Sequence, residues 1–303
     1  MLSYRSNLGT LIGLVALIAL VATPVAAKQF GEWSTPRSLE LLPGSSTAVN
    51  TESLDGCPIQ SPDGLRLFMA SNRAGGLGGI DIWVAQRPST AVGFGTPVNL
   101  GAPINSAADD FCPTPVRGKG LFFVSSRSGG CGAGADIYFA RLNPAHGWGT
   151  PAHLGCEVNS AAGEASPSYV EEAGQGVLYF SSNRTGESNI YRSVEVVDGS
   201  FAAPAAVAEL NTASEDARPN VRKDGLEIVF DSTRPGGSGG PDIYAATRGS
   251  VYDPWSAPVN LGTAINSAAP DTRASLSWDG QTLLFGSGRA GGEGSTDIYV
   301  STR

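Results

Sequence analysis

The sequence predicts an all-β chain folded as a five-bladed β-propeller with four-stranded blades. Three observations carry that expectation. Short apolar runs bounded by Gly, Pro, Asn and Asp fill the chain, and no long window has amphipathic helix spacing. One unit recurs five times: Asp81-Ile82-Trp83, Asp136-Ile137-Tyr138, Asn189-Ile190-Tyr191, Asp242-Ile243-Tyr244 and Asp297-Ile298-Tyr299. Ahead of each stands Ser-x-Arg, ending at Arg73, Arg127, Arg184, Arg234 and Arg289.

The elements follow in chain order. Arg5, the apolar run Leu8 to Ala22 and the small residues Val25-Ala26-Ala27 predict a signal peptide over 1–27, cleaved after Ala27. The propeller is then expected over 28–303, periplasmic or secreted, with no membrane span in the mature chain. Trp33-Ser34-Thr35-Pro36 reads as an outermost strand with no inner strands before it, and Asp297 to Thr302 as a third strand with none after it. Trp33 to Leu39 is therefore expected to pair with Asp297 to Thr302 and complete the last blade, which closes the ring and removes an open edge. In the first full unit, Cys57 to Ser61 is the innermost strand, Pro62-Asp63-Gly64 a tight turn, Leu65 to Ser71 the second strand and Ile80 to Ala85 the third. Phe94-Gly95-Thr96-Pro97 opens the fourth, where proline suits an edge.

Composition limits the partners. The formal net charge is −8, with 41% hydrophobic and 16% charged residues. An acidic chain lacks the basic surface that nucleic acid or an anionic membrane requires. Cys57, Cys112, Cys131 and Cys156 form an even set, which in an exported chain reads as two disulfides. Cys57 and Cys112 hold the same position in adjacent innermost strands, and Cys131 and Cys156 fall in connections on one face. The expected pairs are thus Cys57–Cys112 and Cys131–Cys156, with Cys112–Cys131 as the competing bridge.

A second repeated element, Asn-[Ser/Thr], three residues, then an acid, precedes each innermost strand. It places Asp55, Asp110, Glu164, Asp216 and Asp271 around one mouth of the channel. Two readings stand. The acids could bind a cation, calcium being the suitable hard ion, or could supply a catalytic pair. Alternatively each pairs with the arginine of its own unit, and the register favours this structural reading. Two residues after each acid stand Cys57, Cys112, Ser166, Arg218 and Arg273, expected on the same strand face. Arg218 and Arg273 could clamp a carboxylate or phosphate, or neutralise the acids. Asp109 and Glu215 are spare acids. Adjacent strand residues face opposite ways, so both are not expected to enter the channel. His146 and His153 are the only histidines and suggest neither a zinc site nor a catalytic triad. No metal and no cofactor is expected.

The Ser61-Pro62-Asp63-Gly64, Leu67-Phe68-Met69-Ala70-Ser71-Asn72-Arg73 and Asp81-Ile82-Trp83 segments resemble the WD-like propeller repeat of TolB-type periplasmic proteins. Arg117-Gly118-Lys119-Gly120 and Glu171-Glu172-Ala173-Gly174 depart from its turn. TolB-type proteins carry six blades and a further N-terminal domain, whereas five units are counted here. The resemblance implies a monomeric, non-enzymatic module of the cell envelope or extracellular space that holds a protein, peptide or glycan on its loop face. The alternative is a five-bladed carbohydrate-active hydrolase with carboxylates in the channel mouth.

Overall fold

The computed structural model describes residues 1–2 and 30–303; the signal peptide expected over 1–27 lies almost wholly outside the described residues. Among the described residues the chain is all-β, with five blades in a ring and a single short 3₁₀ turn at Leu39–Leu41. We letter the strands of each blade A to D from the channel outward. Blade one is Asp55–Gln60, Arg66–Ser71, Asp81–Gln86 and Val98–Asn99. Blade two is Asp110–Val116, Gly120–Ser125, Asp136–Asn143 and Ala152–His153, and blade three is Glu164–Glu172, Gln175–Ser182, Asn189–Val197 and Ala205–Ala206. Blade four is Asp216–Val221, Glu227–Ser232, Asp242–Thr247 and Val259–Asn260. Blade five takes Asp271–Leu276, Thr282–Ser287 and Asp297–Thr302 from the end of the chain and Arg37–Ser38 from its beginning.

The closing strand falls within the expected stretch 33–39, its ladder confined to Arg37–Ser38. Arg37 pairs with Val300 and Ser38 with Tyr299, while the Ser34 N–H donates to Thr302 O at 2.8 Å. Asn50 adds a second closure. Its side-chain oxygen accepts the Ile298 N–H at 2.8 Å and its amide donates back to Ile298 O at 3.2 Å. The side chain thereby mimics one more strand residue. Asn105 repeats this on Ile82, Asn159 on Ile137, Asn211 on Ile190 and Asn266 on Ile243. The Asn of the second repeated element is therefore a clamp from each blade to the one before.

Strand B is buried on both faces, so its apolar run is continuous rather than alternating. Leu67 and Met69 pack toward blade five and Phe68 toward blade two. Equivalent clusters fill the seams between blades two and three, three and four, and four and five. Each fully buried Leu or Phe side chain contributes roughly 1.5–3 kcal/mol. The Asp-Gly turns of blades one, four and five use the aspartate locally: Asp63, Asp224 and Asp279 accept the N–H two residues on at 3.0, 3.1 and 3.0 Å. Ala173-Gly174 replaces that turn in blade three, both residues having positive φ, with longer strands running into it.

Candidate functional site

The five repeat acids do not line an open mouth. All five side chains are fully buried. In blade two, Asp110 accepts the Ser106 N–H at 2.6 Å, the Ser106 hydroxyl at 2.8 Å and Arg127 Nη2 at 2.7 Å. The pattern recurs for Asp55 with Thr51 and Arg73, Glu164 with Ser160 and Arg184, Asp216 with Thr212 and Arg234, and Asp271 with Ser267 and Arg289. Each arginine also donates to the carbonyl just before its unit's Asn, as Arg127 does to Ile104 O at 2.6 Å. Its guanidinium lies over the ring of the third-strand aromatic and, in four of the five units, over a strand-B ring as well, such as Phe230 and Tyr244 beneath Arg234 at 5.2 and 4.8 Å. That contact accounts for the aromatic residue of the third-strand motif. A carboxylate so buried and so engaged is not open to a cation or a substrate.

Two residues further on, every A strand breaks its ladder. Cys57, Cys112, Ser166, Arg218 and Arg273 all have φ between 46° and 56°, and each register slips at that point. A non-glycine residue in the left-handed region is held there by its surroundings. A bulge inserts an unpaired residue and re-aims its side chain. The expectation that these residues share a strand face with the acids is thereby corrected: the bulge, not the two-residue alternation, turns them toward the axis. They and the residues after them enclose about 30 Å³, too little for a sugar ring. Any larger ligand must rest at a mouth.

The bulge ring has two unlike sides. Cys57 and Cys112 are joined by a disulfide, with Cα atoms 4.9 Å apart, and the Ser166 hydroxyl lies 3.3 Å from Cys112 Sγ. Cys131–Cys156 forms the second bridge, with Cα atoms 5.5 Å apart. Two disulfides fit an oxidising compartment, and no helix among the described residues is long and apolar enough to cross a membrane. On the other side stand Arg218 and Arg273. Arg218 donates through Nη1 to Asp231 and holds Glu215 at 3.5 Å through Nη2, so Asp231 raises its pKa. Asp231 also accepts the Arg273 N–H at 2.9 Å. The Arg273 guanidinium has one long contact, 3.5 Å to the Thr272 hydroxyl. Burial, reinforced by the positive charge of Arg218, lowers its pKa to about 10.

The sequence reading missed Asp231. A signal was present: the residue before Ser-x-Arg is Ala70, Val124, Ser181 and Gly286 in the other units, and only here an acid. Of the two spare acids, Asp109 accepts the Ile80 N–H at 2.9 Å across the blade seam, and Glu215 turns to Arg218. His153 stands 3.3 Å from Asp136 and 3.7 Å from Cys131 Sγ. The His146 N–H donates to Asn143 Oδ1 at 3.2 Å.

No protein-family model and no curated protein matches the sequence. The fold matches an α-L-arabinofuranosidase from Lactobacillus brevis with a TM-score of 0.55 at 13% identity, over 84% of this chain and 90% of that one. It matches a thermostable family-43 glycoside hydrolase with a TM-score of 0.55 at 14% identity, over 84% and 90%. A GH62 hydrolase in complex with xylotriose matches with a TM-score of 0.55 at 12% identity, over 90% and 97%. At these identities the likeness establishes the fold. It also corrects three expectations. The structural relatives are glycoside hydrolases with five blades, not TolB-type repeat proteins. The non-enzymatic module and the absence of catalysis, both tied to that resemblance, fall with it.

Proposed function

We propose that this chain is a carbohydrate-active hydrolase whose active site is the Glu215–Arg218–Asp231–Arg273 cluster at the loop-face mouth of the channel. The observation that supports it most is that one guanidinium, Arg218, holds two carboxylates on separate nitrogens. One guanidinium that holds both acids keeps them close together, as glycosidases require of a catalytic carboxylate pair. Glu215, about one-third exposed, is placed to exchange a proton with a glycosidic oxygen. Asp231, buried beneath it, fixes Arg218 and supplies the second negative charge that an oxocarbenium-like transition state requires. Arg273, with little else to bind, offers donors to substrate oxygens.

The substrate class is an oligosaccharide built of neutral pentose or hexose units. The GH62 relative holds xylotriose, and a related arabinofuranosidase of Podospora anserina holds cellotriose. The work is done outside the cytosol by a single propeller spanning 28–303, after removal of 1–27.

Sugar release from aryl arabinofuranosides, arabinan, arabinoxylan and cello-oligosaccharides tests this. Turnover is expected on at least one, and Glu215→Gln should lower it at least 100-fold, in line with the loss of a general acid–base group. Its melting temperature should stay unchanged, since the replaced carboxylate is partly solvated. Absence of turnover on the whole panel, or an undiminished rate in the variant, overturns the proposal.

A further inference from the structure

Blade two carries a cluster that the other blades lack. In blades one and four the aspartate that opens strand C is held by the asparagine of strand D: Asn99 Nδ2 donates to Asp81 and Asn260 Nδ2 to Asp242, both at 2.9 Å. That asparagine also accepts from Gly101 or Gly262 two residues on, at 2.8 and 2.7 Å. In blade two the same place holds His153. Its Nε2 lies 3.3 Å from Asp136 Oδ2, and its Nδ1 accepts the Gly155 N–H at 3.0 Å. The loop residue whose N–H caps the aspartate is Leu77 in blade one, Ser238 in blade four and Cys131 in blade two. Cys156, the partner of Cys131, follows one residue after Gly155. Two departures from the repeat, His153 and Cys131, thus meet one aspartate, and a third, Cys156, is tied to them through the bridge; each brings a metal-ligating side chain.

We propose that reduction of the Cys131–Cys156 bridge converts this cluster into a zinc site ligated by Cys131, Cys156, His153 and Asp136. The ligand atoms of Cys131, Asp136 and His153 already lie within 4.8 Å of one another. Zinc bonds of about 2.0–2.3 Å in a tetrahedron put neighbouring ligand atoms about 3.3–3.8 Å apart. The separations of 3.7 Å from Cys131 Sγ to His153 Nε2 and 3.3 Å from His153 Nε2 to Asp136 Oδ2 match that spacing. In the oxidised chain both sulfurs are spent on each other, so no thiolate is offered.

The chemistry balances with a dithiol as reductant. It gives two electrons to the bridge and becomes a disulfide, while Cys131 and Cys156 become thiols. Zinc then displaces one proton from each thiol to solvent, leaving two thiolates on the metal. Zinc takes the Nε2 lone pair in place of Asn159 Nδ2, which lies 3.0 Å from it, and the ring proton resides on Nδ1, which ends the contact with the Gly155 N–H. That is the segment that must shift in any case as Cys156 draws away from Cys131. Access favours this bridge over the other: Cys156 is exposed and Cys131 half-buried, whereas Cys57 and Cys112 are buried in the channel.

The test is zinc titration of the full chain, oxidised and after treatment with a dithiol since removed, against a chromophoric chelator. Cobalt(II) serves as a second probe, because thiolate ligation gives it strong charge-transfer absorption. Reduced protein is expected to take up one zinc per chain, oxidised protein none. His153→Asn restores the residue of blades one and four, so the fold is kept, and should weaken zinc binding at least 100-fold. Circular dichroism follows folding throughout. The proposal is overturned if reduced, folded protein binds no zinc. It is equally overturned if the variant binds as tightly as the parent, which is how thiols of an unfolded chain or those of Cys57 and Cys112 would behave.

Discussion

Two five-membered rings lie two residues apart along the same A strands, and they obey different rules. The outer ring, Asp55, Asp110, Glu164, Asp216 and Asp271, is nearly uniform: each acid is sealed from solvent and paired with its own arginine. The inner ring, Cys57, Cys112, Ser166, Arg218 and Arg273, shares one backbone conformation but no side-chain chemistry. Its near side is covalent and its far side ionic. Uniformity in the outer ring reflects a demand every blade makes, the anchoring of its B–C loop. The inner ring is free to vary because the bulge, a backbone feature, sets its direction whatever the side chain, so specialised chemistry collects there.

Substitution separates the rings by size of effect. Arg234→Met should cost about 3–5 kcal/mol in urea unfolding, because it strands Asp216, a fully buried carboxylate, without its charge partner. A loss below 1 kcal/mol would show that the outer ring is not the anchor described here. Replacing both Cys57 and Cys112 by Ser should cost about 2–4 kcal/mol, through release of a 55-residue separation in the unfolded chain. Equal midpoints for oxidised and reduced parent protein would contradict that. Arg273→Met should be neutral or raise stability by up to about 1 kcal/mol at neutral pH, since it removes a desolvated cation with one long hydrogen bond. A destabilisation matching that of Arg234→Met would make the two rings equivalent after all.

The same contrast explains what could be read in advance. The ion pairs of the outer ring are spelled out five times at fixed spacing, and a repeated pattern is legible without coordinates. Asp231 occurs once, on strand B, and acts on residues of strand A in its own blade and in blade five. Nothing in its local sequence tells which way the bulge turns Arg218. Glu215 follows the same logic: its neighbour Asp216 is buried in the outer ring, while Glu215 itself reaches the inner one. The two-residue alternation of a regular strand separates them to opposite faces, and only the bulge lets Arg218 come back to meet Glu215.

By itself the sequence determined the fold class, the number of blades, their strand order, the closure by an N-terminal strand and two disulfides. Those features are set by periodic burial and by turn residues, which act over a few positions and are repeated. The tertiary structure decided which acids are consumed and which remain available, and it alone brought His153, Asp136 and the Cys131–Cys156 bridge together. It also placed the positive-φ residues at the channel. The physical reason is that a site depends on side-chain direction across blades far apart in sequence, and a single bulge reverses that direction without changing the hydrophobic pattern.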